Sequence, residues 1–248
     1  MLLMSIEKRL RVPLLNEVPM KIMYIDKWLL LCEKPVGALS EASDREENMP
    51  ALLSQELTAR GERGEVFPVH RLDRAVGGLM VFARDSATAG KLSALIAERQ
   101  MTKQYLCLVH GAPAEPEGEL RDLLFKDSTR NKTFVVKRMR RGVKEAWLTY
   151  RALSSAAPTP WGDCSPILVT MGTGRSHQIR VQFSTRGMPL VGDGKYGGSD
   201  NGTNVALFSH RIAFKHPRTG KTVDFSLTPS GMPWELFGKV LPGENAHD

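Results

Sequence analysis

Cysteine is scarce in this sequence and is never clustered. The 248 residues contain only Cys32, Cys107 and Cys164, and no two of them form a Cys-x-x-Cys pair. This spacing argues against a structural zinc site and against a disulfide framework. We therefore expect free thiols and a reducing, cytoplasmic setting.

Long hydrophobic runs are also missing. Charged residues interrupt the N-terminal stretch 1–18, among them Glu7, Lys8, Arg9 and Arg11. The stretch therefore lacks the continuous apolar core of a signal peptide. No later segment is apolar enough to cross a bilayer, so we expect no membrane partner.

Acidic residues are outnumbered by basic ones. The chain has 34 Lys and Arg against 27 Asp and Glu, which gives a formal net charge of +7. Positive charge favours a polyanionic partner, because each neutralised phosphate releases counterions and adds affinity. The basic residues are scattered rather than gathered in a tail, and many basic proteins bind no nucleic acid. Charge alone therefore leaves a nucleic-acid partner open.

The hydrophobic content of 42% is sufficient for a large core. No repeat or low-complexity linker is present, so we expect one broad domain over residues 1–248. Hydrophobic patterning predicts a mixed sheet with a few packed helices. The predicted strands cover residues 28–32, 66–69, 77–83, 104–109, 146–153, 167–171 and parts of 206–227.

Alternation in the strand at 104–109 places Tyr105, Cys107 and Val109 on one side, where Tyr105 would face a cleft. The charge-rich stretch 114–144 is predicted to form hairpins or loops at the surface.

Three helices are predicted around these strands. Residues 49–58 have a helical pattern, and Asp85 or Ser86 is expected to cap a second helix. Ser176 is expected to cap a short third helix, which contains Arg180 and which a glycine at 187 terminates.

The segment His70-Arg71-Leu72-Asp73 directly follows a predicted strand. Taken alone, four such residues are more often a buried salt bridge beside a strand end. The two histidines, His70 and His177, have no close pair of ligands near them in the sequence, so we expect no metal site.

A second polar segment runs from Gly172 to Arg180 and contains Gly174, Arg175, Ser176 and His177. Glycines permit close backbone approach, and the start of a helix presents unpaired amides that favour an anion. The alternative is a capped helix with a solvated basic face.

Four ordered blocks together resemble the RluA-type family of pseudouridine synthases, nearly along the whole chain. They are Leu29 to Gly37 with Lys34-Pro35, His70 to Asp73 with Gly78-Leu79, Lys103-Gln104-Tyr105 with Val109-His110-Gly111, and Gly174 to Val181 with Gly192-Asp193 and Tyr196-Gly197. Four blocks in the same order make coincidence an unconvincing explanation.

The resemblance implies an α+β fold: a single pseudouridine synthase catalytic domain with a mixed, mostly antiparallel sheet, flanking helices and a central RNA-binding cleft. It implies that uridine in structured ribosomal or transfer RNA is converted to pseudouridine without a cofactor or metal. By the same resemblance, Asp73 is the catalytic aspartate, Tyr105 the active-site tyrosine and Arg180 the arginine that pairs with the aspartate. A monomer is favoured.

The chemistry of these residue types fits that reaction. An aspartate is ionised at neutral pH, and it either attacks the sugar or removes a sugar proton to give a glycal. Tyr105 is better suited to stack on the base than to act as a base, since an ordinary phenol has a pKa of about 10. A uridine stacked in folded RNA must be flipped out at a cost of a few kcal/mol.

Basic surface is expected to hold the flipped strand. Arg71, Arg74 and Arg175 are the arginines expected nearest the phosphates, each with a structural salt bridge as its alternative role. His70 and His177 are expected beside them, at the RNA or supporting the residues that touch it.

The sequence departs from the family pattern after Asp73. A hydroxyl-bearing turn is usual there, whereas this chain has Arg74-Ala75-Val76-Gly77-Gly78, which removes side-chain hydrogen bonds that aim the aspartate. Fewer than thirty residues precede the first matching strand. We therefore expect no separate N-terminal RNA-binding domain.

Three other functions stay open at this level. They are a non-catalytic RNA-binding relative, a different RNA-modifying enzyme such as a methyltransferase, and a metal-dependent hydrolase that uses His70 and Asp73. No glycine-rich nucleotide loop supports the second, and the third needs more ligands than the sequence clusters.

Overall fold

The computed structural model describes residues 20–198 and 203–247, which form one sheet with helices packed on it. The helices are α1 (Met49–Ala59), α2 (Ser86–Ala97) and α3 (Gln178–Ser184), and Trp234–Phe237 adds a short 3-10 turn. The strands are β1 (Ile22–Ile25), β2 (Leu29–Lys34), β3 (Phe67–Pro68), β4 (Gly77–Ala83), β5 (Thr102–His110), β6 (Glu117–Asp127), β7 (Lys132–Val136), β8 (Val143–Ala152), β9 (Ala157–Thr159), β10 (Gly162–Met171), β11 (Leu207–Lys215), β12 (Thr222–Ser226) and β13 (Asn245–His247).

The main path of the sheet has the order β1-β2-β4-β11-β5-β10-β8-β6-β7. Its neighbouring strands pair antiparallel except β4 and β11, which are parallel. This confirms the predicted mixed, mostly antiparallel sheet with flanking helices. Strand β11 comes from the C-terminal part of the chain and inserts between β4 and β5. The loop before β4 and the middle of β5 are thereby brought to the centre of the sheet.

Apolar side chains cover both faces of the sheet. All seven residues of β4 are buried, and they alternate between the two faces, with Phe82 in one core cluster and Val81 in the other. Helix α1 contributes Leu53 to the first cluster, and α2 contributes Leu92 to the second. Tyr105, Cys107 and Val109 share the first cluster, as the alternation in β5 predicted.

Local signals located most helices and strands well, but one predicted cap is wrong. Asp85 caps α2 with its side chain, which accepts a hydrogen bond from the Thr88 amide at 2.7 Å. Ser176 does not cap α3. The residue at the N-cap is His177, which has a left-handed φ of 54° and makes no side-chain capping bond. The ring of His177 is held elsewhere by a side chain distant in sequence, which the local pattern does not show.

The other predictions for the chain have mixed outcomes. The stretch 114–144 forms the β6–β7 hairpin and the loop that leads to β8. The three cysteines are buried thiols, and none of them forms a disulfide. Within the described residues, none of the helices is both long and apolar enough to cross a membrane. The expectations about a signal peptide and an N-terminal domain concern residues 1–19, which lie outside the described residues.

Candidate active site

Asp73 lies in the loop between β3 and β4, where its neighbours fix the backbone. The buried Ser40 hydroxyl donates to the Leu72 carbonyl at 2.8 Å and accepts from the Leu72 amide at 2.9 Å. Beyond the aspartate, the Val76 amide donates to the Asp73 carbonyl at 2.9 Å and closes a turn. Val76 is buried, so an apolar anchor stands where the family pattern has hydroxyl groups.

Lys34 is hydrogen-bonded to the same loop. Its side chain is fully buried, and its Nζ donates to the carbonyl of Pro35 at 2.8 Å and to that of Arg74 at 3.3 Å. The Gly37 amide donates to the same Arg74 carbonyl at 2.8 Å. Burial lowers the pKa of Lys34 to about 8, and the nearby Asp73 carboxylate opposes that shift. A buried ammonium thus holds two backbone carbonyls, one of them in the loop directly after Asp73.

Arg180 joins Asp73 to a second carboxylate. One guanidinium nitrogen, Nη1, donates to Oδ2 of Asp73 at 2.9 Å. Nε and Nη2 donate to the two carboxylate oxygens of Asp193, each at 2.7 Å, which is the bidentate geometry of strong arginine–carboxylate pairs. Burial alone lowers the pKa of Arg180, but the hydrogen bonds and charges of the two aspartates outweigh it and raise that pKa. The arginine therefore stays charged and fixes one oxygen of Asp73.

His177 lies on the other side of Asp73. Its Nε2 is 3.7 Å from Oδ2 of Asp73, and its Nδ1 is 2.8 Å from the Tyr196 hydroxyl. That hydroxyl accepts from the Thr133 amide at 2.8 Å, so its own proton is available for Nδ1 and the imidazole proton lies on Nε2, towards Asp73. Burial lowers the pKa of His177, against the opposing charge of Asp73, so the ring is neutral near pH 7.

Tyr105 forms part of the floor of the same site. It projects from β5, is 8% exposed and borders the cleft that contains Asp73. Burial raises the pKa of its phenol well above the ordinary value. A phenol of that kind stays protonated at neutral pH, which fits contact with a base better than proton removal.

These residues open into one cleft of about 730 Å³, which is within the range of sites that bury a nucleotide-sized ligand. Seven of the eight predicted site residues border it: His70, Arg71, Asp73, Tyr105, Arg175, His177 and Arg180. Arg74 is elsewhere, since its guanidinium donates to the Gly37 carbonyl and pairs with Glu46 at 2.5 Å.

The remaining predicted residues differ in how they are held. Arg71 is exposed and pairs with Glu41 at 3.1 Å. Arg175 is exposed and donates from Nε to the Glu145 carbonyl at 3.0 Å. Both arginines therefore carry their charge at the mouth of the cleft.

His70 is fixed as a neutral ring. Its Nε2 accepts a hydrogen bond from the Val81 amide at 3.1 Å, which leaves the ring proton on Nδ1. Burial lowers the pKa of His70 to about 3, with a further contribution from the charge of Lys103. Among the described residues no group of three His, Cys, Asp or Glu side chains is arranged to hold a metal ion. The described residues around His70 and Asp73 therefore provide no ligand set for a metal-dependent hydrolase.

Three supporting residues were not assigned a role from the sequence. Lys34, Asp193 and Tyr196 each belong to a quoted block, yet their partners are Arg74, Arg180 and His177. The available signal was the presence of charged or polar residues beside glycines in those blocks. Local pattern gave no means to pair them.

Comparison with known proteins identifies the family of this site. A family model described as RNA pseudouridylate synthase matches residues 28–185. The chain is 30% identical over 243 residues to ribosomal large subunit pseudouridine synthase D of Zymomonas mobilis subsp. mobilis, which covers 91% of this chain and 74% of the relative. It is also 30% identical over 223 residues to tRNA pseudouridine synthase C of Vibrio parahaemolyticus, with 82% and 88% covered.

The fold agrees with this match. The solved structure of human RNA pseudouridylate synthase domain containing 1 superposes with a TM-score of 0.71 at 23% identity, covering 94% of this chain and 91% of that one. The sequence match, rather than this likeness of fold, carries the assignment. On that basis the chain belongs to the RNA pseudouridylate synthase family, as its resemblance to the RluA-type enzymes predicted.

Proposed function

We propose that this protein isomerises uridine to pseudouridine in folded ribosomal or transfer RNA, with Asp73 as the reacting carboxylate and without a cofactor. The observation that carries the proposal is the chain of contacts from Asp73 through Arg180 to the buried Asp193. It presents one carboxylate, held in a fixed direction, to a cleft of nucleotide size. Relatives named for ribosomal RNA and for tRNA leave both substrate classes open.

The reaction exchanges one glycosidic bond for another within the same nucleotide. The bond from C1′ of the ribose to N1 of uracil breaks, and a bond from C1′ to C5 forms. The hydrogen on C5 leaves as a proton, and N1 ends protonated, so the overall change is an isomerisation. Asp73 either attacks C1′ and forms an ester or removes the C2′ proton to give a glycal.

Arg180 and His177 serve the carboxylate in either route. Arg180 occupies Oδ2 of Asp73, which leaves Oδ1 to face the sugar. The Nε2–H of the neutral His177 also faces Oδ2 and adds a dipole without a second charge. Tyr105 would contact the detached uracil and keep it within the cleft while it turns.

RNA would reach this site as a flipped nucleotide. Arg71 and Arg175, at the mouth of the cleft, are proposed to meet phosphates beside the target. His70 and His177 are proposed to lie at the nucleotide itself. Arg74 is the weakest of the predicted RNA contacts, because it does not border the cleft and its guanidinium is bound to Gly37 and Glu46. A cytoplasmic location is part of this proposal, since ribosomal and transfer RNA are its substrates.

Tritium release tests the proposal directly. Cellular RNA labelled at C5 of uridine would be incubated with the protein and with Asp73→Asn, in the presence of chelator. We expect release by the unmodified protein alone, because the reaction needs the carboxylate and no metal. Asp163→Asn, at an exposed aspartate outside the cleft, is the matched control and should release tritium normally.

Each other result would point to a different function. Binding of RNA without tritium release from any RNA fraction would indicate a non-catalytic RNA-binding protein. Loss of activity in chelator would indicate a metal-dependent reaction. Full activity of Asp73→Asn would remove Asp73 from the chemistry.

A further inference from the structure

The cleft extends well beyond Asp73, and its far part contains an aromatic side chain to which the proposed chemistry assigns no role. Trp147, on β8, is half-buried and borders the same cleft as Asp73 and Tyr105. It belongs to none of the blocks that carry the family resemblance. A volume of about 730 Å³ leaves room beside a single flipped uridine.

The indole of Trp147 is seated on the backbone of Gly172. A β-carbon at position 172 would lie 2.2 Å from both Cδ2 and Cε2 of the ring, so a side chain there would displace it. The amides of Gly172 and Thr173 both donate to the Trp147 carbonyl, at 3.2 and 3.1 Å. Gln178 adds a third hydrogen bond to that carbonyl at 3.0 Å. The backbone of Trp147 is therefore held by these hydrogen bonds, while its ring lies against Gly172 and borders the cleft.

Two cations lie over this ring, and a third borders the same cleft. The guanidinium carbons of Arg99 and Arg121 lie 5.6 and 5.7 Å from its centroid, and Lys126 borders the same cleft. Arg121 is paired with Glu119. Within the described part of the chain, no carboxylate forms an ion pair with Arg99 or Lys126. Two such cations beside an aromatic ring are the groups that bind a phosphate and a base.

The backbone of Arg99 gives an independent reason to consider this place. It follows α2 with a left-handed φ of 60°, in the position where helices most often have glycine. An arginine there carries a conformational cost that glycine would avoid. Residues held in such conformations concentrate at ligand-binding sites.

We propose that Trp147, Arg99 and Lys126 form a second nucleotide subsite, which binds a nucleotide next to the target uridine in the RNA. Its base stacks on the indole, and its phosphate is bound by the two cations. Stacking would be tolerant of base identity, because every base has a π face. The subsite rests on the proposed function, since it takes the neighbour of the nucleotide that reacts at Asp73.

Fluorescence tests the stacking without relying on turnover. In an Asp73→Asn background, a uridine heptamer would be titrated at low salt into proteins carrying Trp147, Trp147→Phe or Trp161→Phe. Trp161 is also half-buried, but it packs against the core cluster on the opposite face of the sheet from Tyr105. We expect quenching of tryptophan emission in the first and third proteins and its loss in Trp147→Phe, with heptamer affinity changed less than about threefold because phenylalanine still stacks.

Steady-state tritium release from bulk RNA gives the second measurement. Trp147→Ala should raise KM roughly tenfold, with a smaller change in kcat, whereas Trp147→Phe should stay near the original values. Arg99→Gln should lower the salt dependence of RNA binding by about one counterion. Melting temperatures of all variants would identify any that fail to fold. If Trp147→Ala does not fold, the fluorescence of Trp147→Phe still tests the subsite.

Two sets of results would contradict the proposal of a second nucleotide subsite. One is quenching that persists in Trp147→Phe or is absent from every protein. The other is an unchanged KM in folded Trp147→Ala. Failure of the proposed function looks different, because it removes tritium release from the unmodified protein itself.

Discussion

Arg180 is the residue on which the candidate site depends most, and its charge is balanced within the core. It is 5% exposed and contacts two aspartates, of which Asp193 is fully buried. A buried ion pair contributes little net stability when intact, but removal of one partner leaves an uncompensated charge. Asp193 is therefore a positioning residue: it touches Arg180 and acts on Asp73 only through it.

This arrangement predicts a strong effect of Asp193→Asn. The free energy of unfolding should fall by about 3–5 kcal/mol, because a buried charge-assisted pair is broken. Turnover should fall with little change in KM, since Arg180 then turns freely about Asp73. Urea unfolding and tritium-release kinetics measure the two effects, with Asp163→Asn as the exposed control. Normal stability together with normal turnover would show that Asp193 does not orient the arginine.

The lowered pKa of Lys34 predicts that activity has an upper pH limit. Its pKa is lowered to about 8 by burial, so above that pH it loses the charge that binds the carbonyls of Pro35 and Arg74 below Asp73. Turnover should therefore decline as the pH rises from 7 to 9. Lys34→Met should have lower turnover at pH 7 and no decline centred near pH 8, as kcat measured across pH would reveal.

Stability should change in the opposite direction over the same pH window. Unfolded lysine keeps its proton up to about pH 10.4, so between about pH 8 and that value the unfolded chain binds more protons than the folded one. Stability from this group therefore rises with pH while activity falls. Circular dichroism at pH 9 should show a folded protein. If the turnover of Lys34→Met declined with rising pH as that of the unmodified protein does, Lys34 would not be the group that limits activity.

Among the strands and helices, the junction of β4 and β11 decides where the site forms. It is the parallel pair of the sheet's main path, with Gly77 opposite Phe208 and Gly78 opposite Ser209. Gly78 has a φ of 110°, and a β-carbon there would lie 2.4 Å from the Ser209 carbonyl oxygen. The close approach of the two strands depends on this glycine, and the loop carrying Asp73 leads directly into β4.

Two glycine substitutions should therefore have opposite signs. Gly78→Ala should lower the free energy of unfolding by more than about 1 kcal/mol, because the backbone is strained and the strands are pushed apart. Gly90→Ala is the matched control within α2, where no atom lies within 4 Å of the added carbon. It should raise stability by about 1 kcal/mol, the usual gain in a helix interior. Thermal melts of both variants measure this, and equal effects would contradict the role of Gly78.

Across the whole molecule, the exposed basic residues behind the +7 net charge and the buried charges of the cleft have different roles. Exposed Arg175 lies at the mouth of the cleft, whereas buried Arg180 is neutralised by two aspartates. Only the first has charge available for RNA phosphates. Long-range attraction therefore comes from the surface, and the chemistry comes from a compensated interior.

This division predicts different responses to salt. Arg175→Gln should weaken RNA binding and reduce the slope of log affinity against log salt concentration by about one, while kcat stays nearly unchanged. Arg180→Ala should lower kcat far more than it changes RNA affinity or the salt slope. Filter binding at several salt concentrations, with parallel kinetics, measures both. Equal effects of the two substitutions on slope and turnover would contradict the division.

Features that depend on neighbours along the chain were predictable from the sequence alone. A continuous apolar run located β4, alternation located the face of β5 that contains Tyr105, and the cap at Asp85 located α2. The order of the four blocks identified the family. These signals are readable because strand alternation and helix capping act over a few residues.

The pairing of the polar residues, by contrast, is visible only in the folded structure. Asp73 and Arg180 are 107 positions apart, and the family resemblance rather than any local pattern joined them. The bond from Arg180 to Asp193, the turn of Arg74 towards Glu46, and the place of His177 at the start of α3 all came from packing. A buried charge takes whichever partner the assembled sheet brings within reach, because leaving it unpaired costs several kcal/mol. That choice is made by the folded chain in three dimensions.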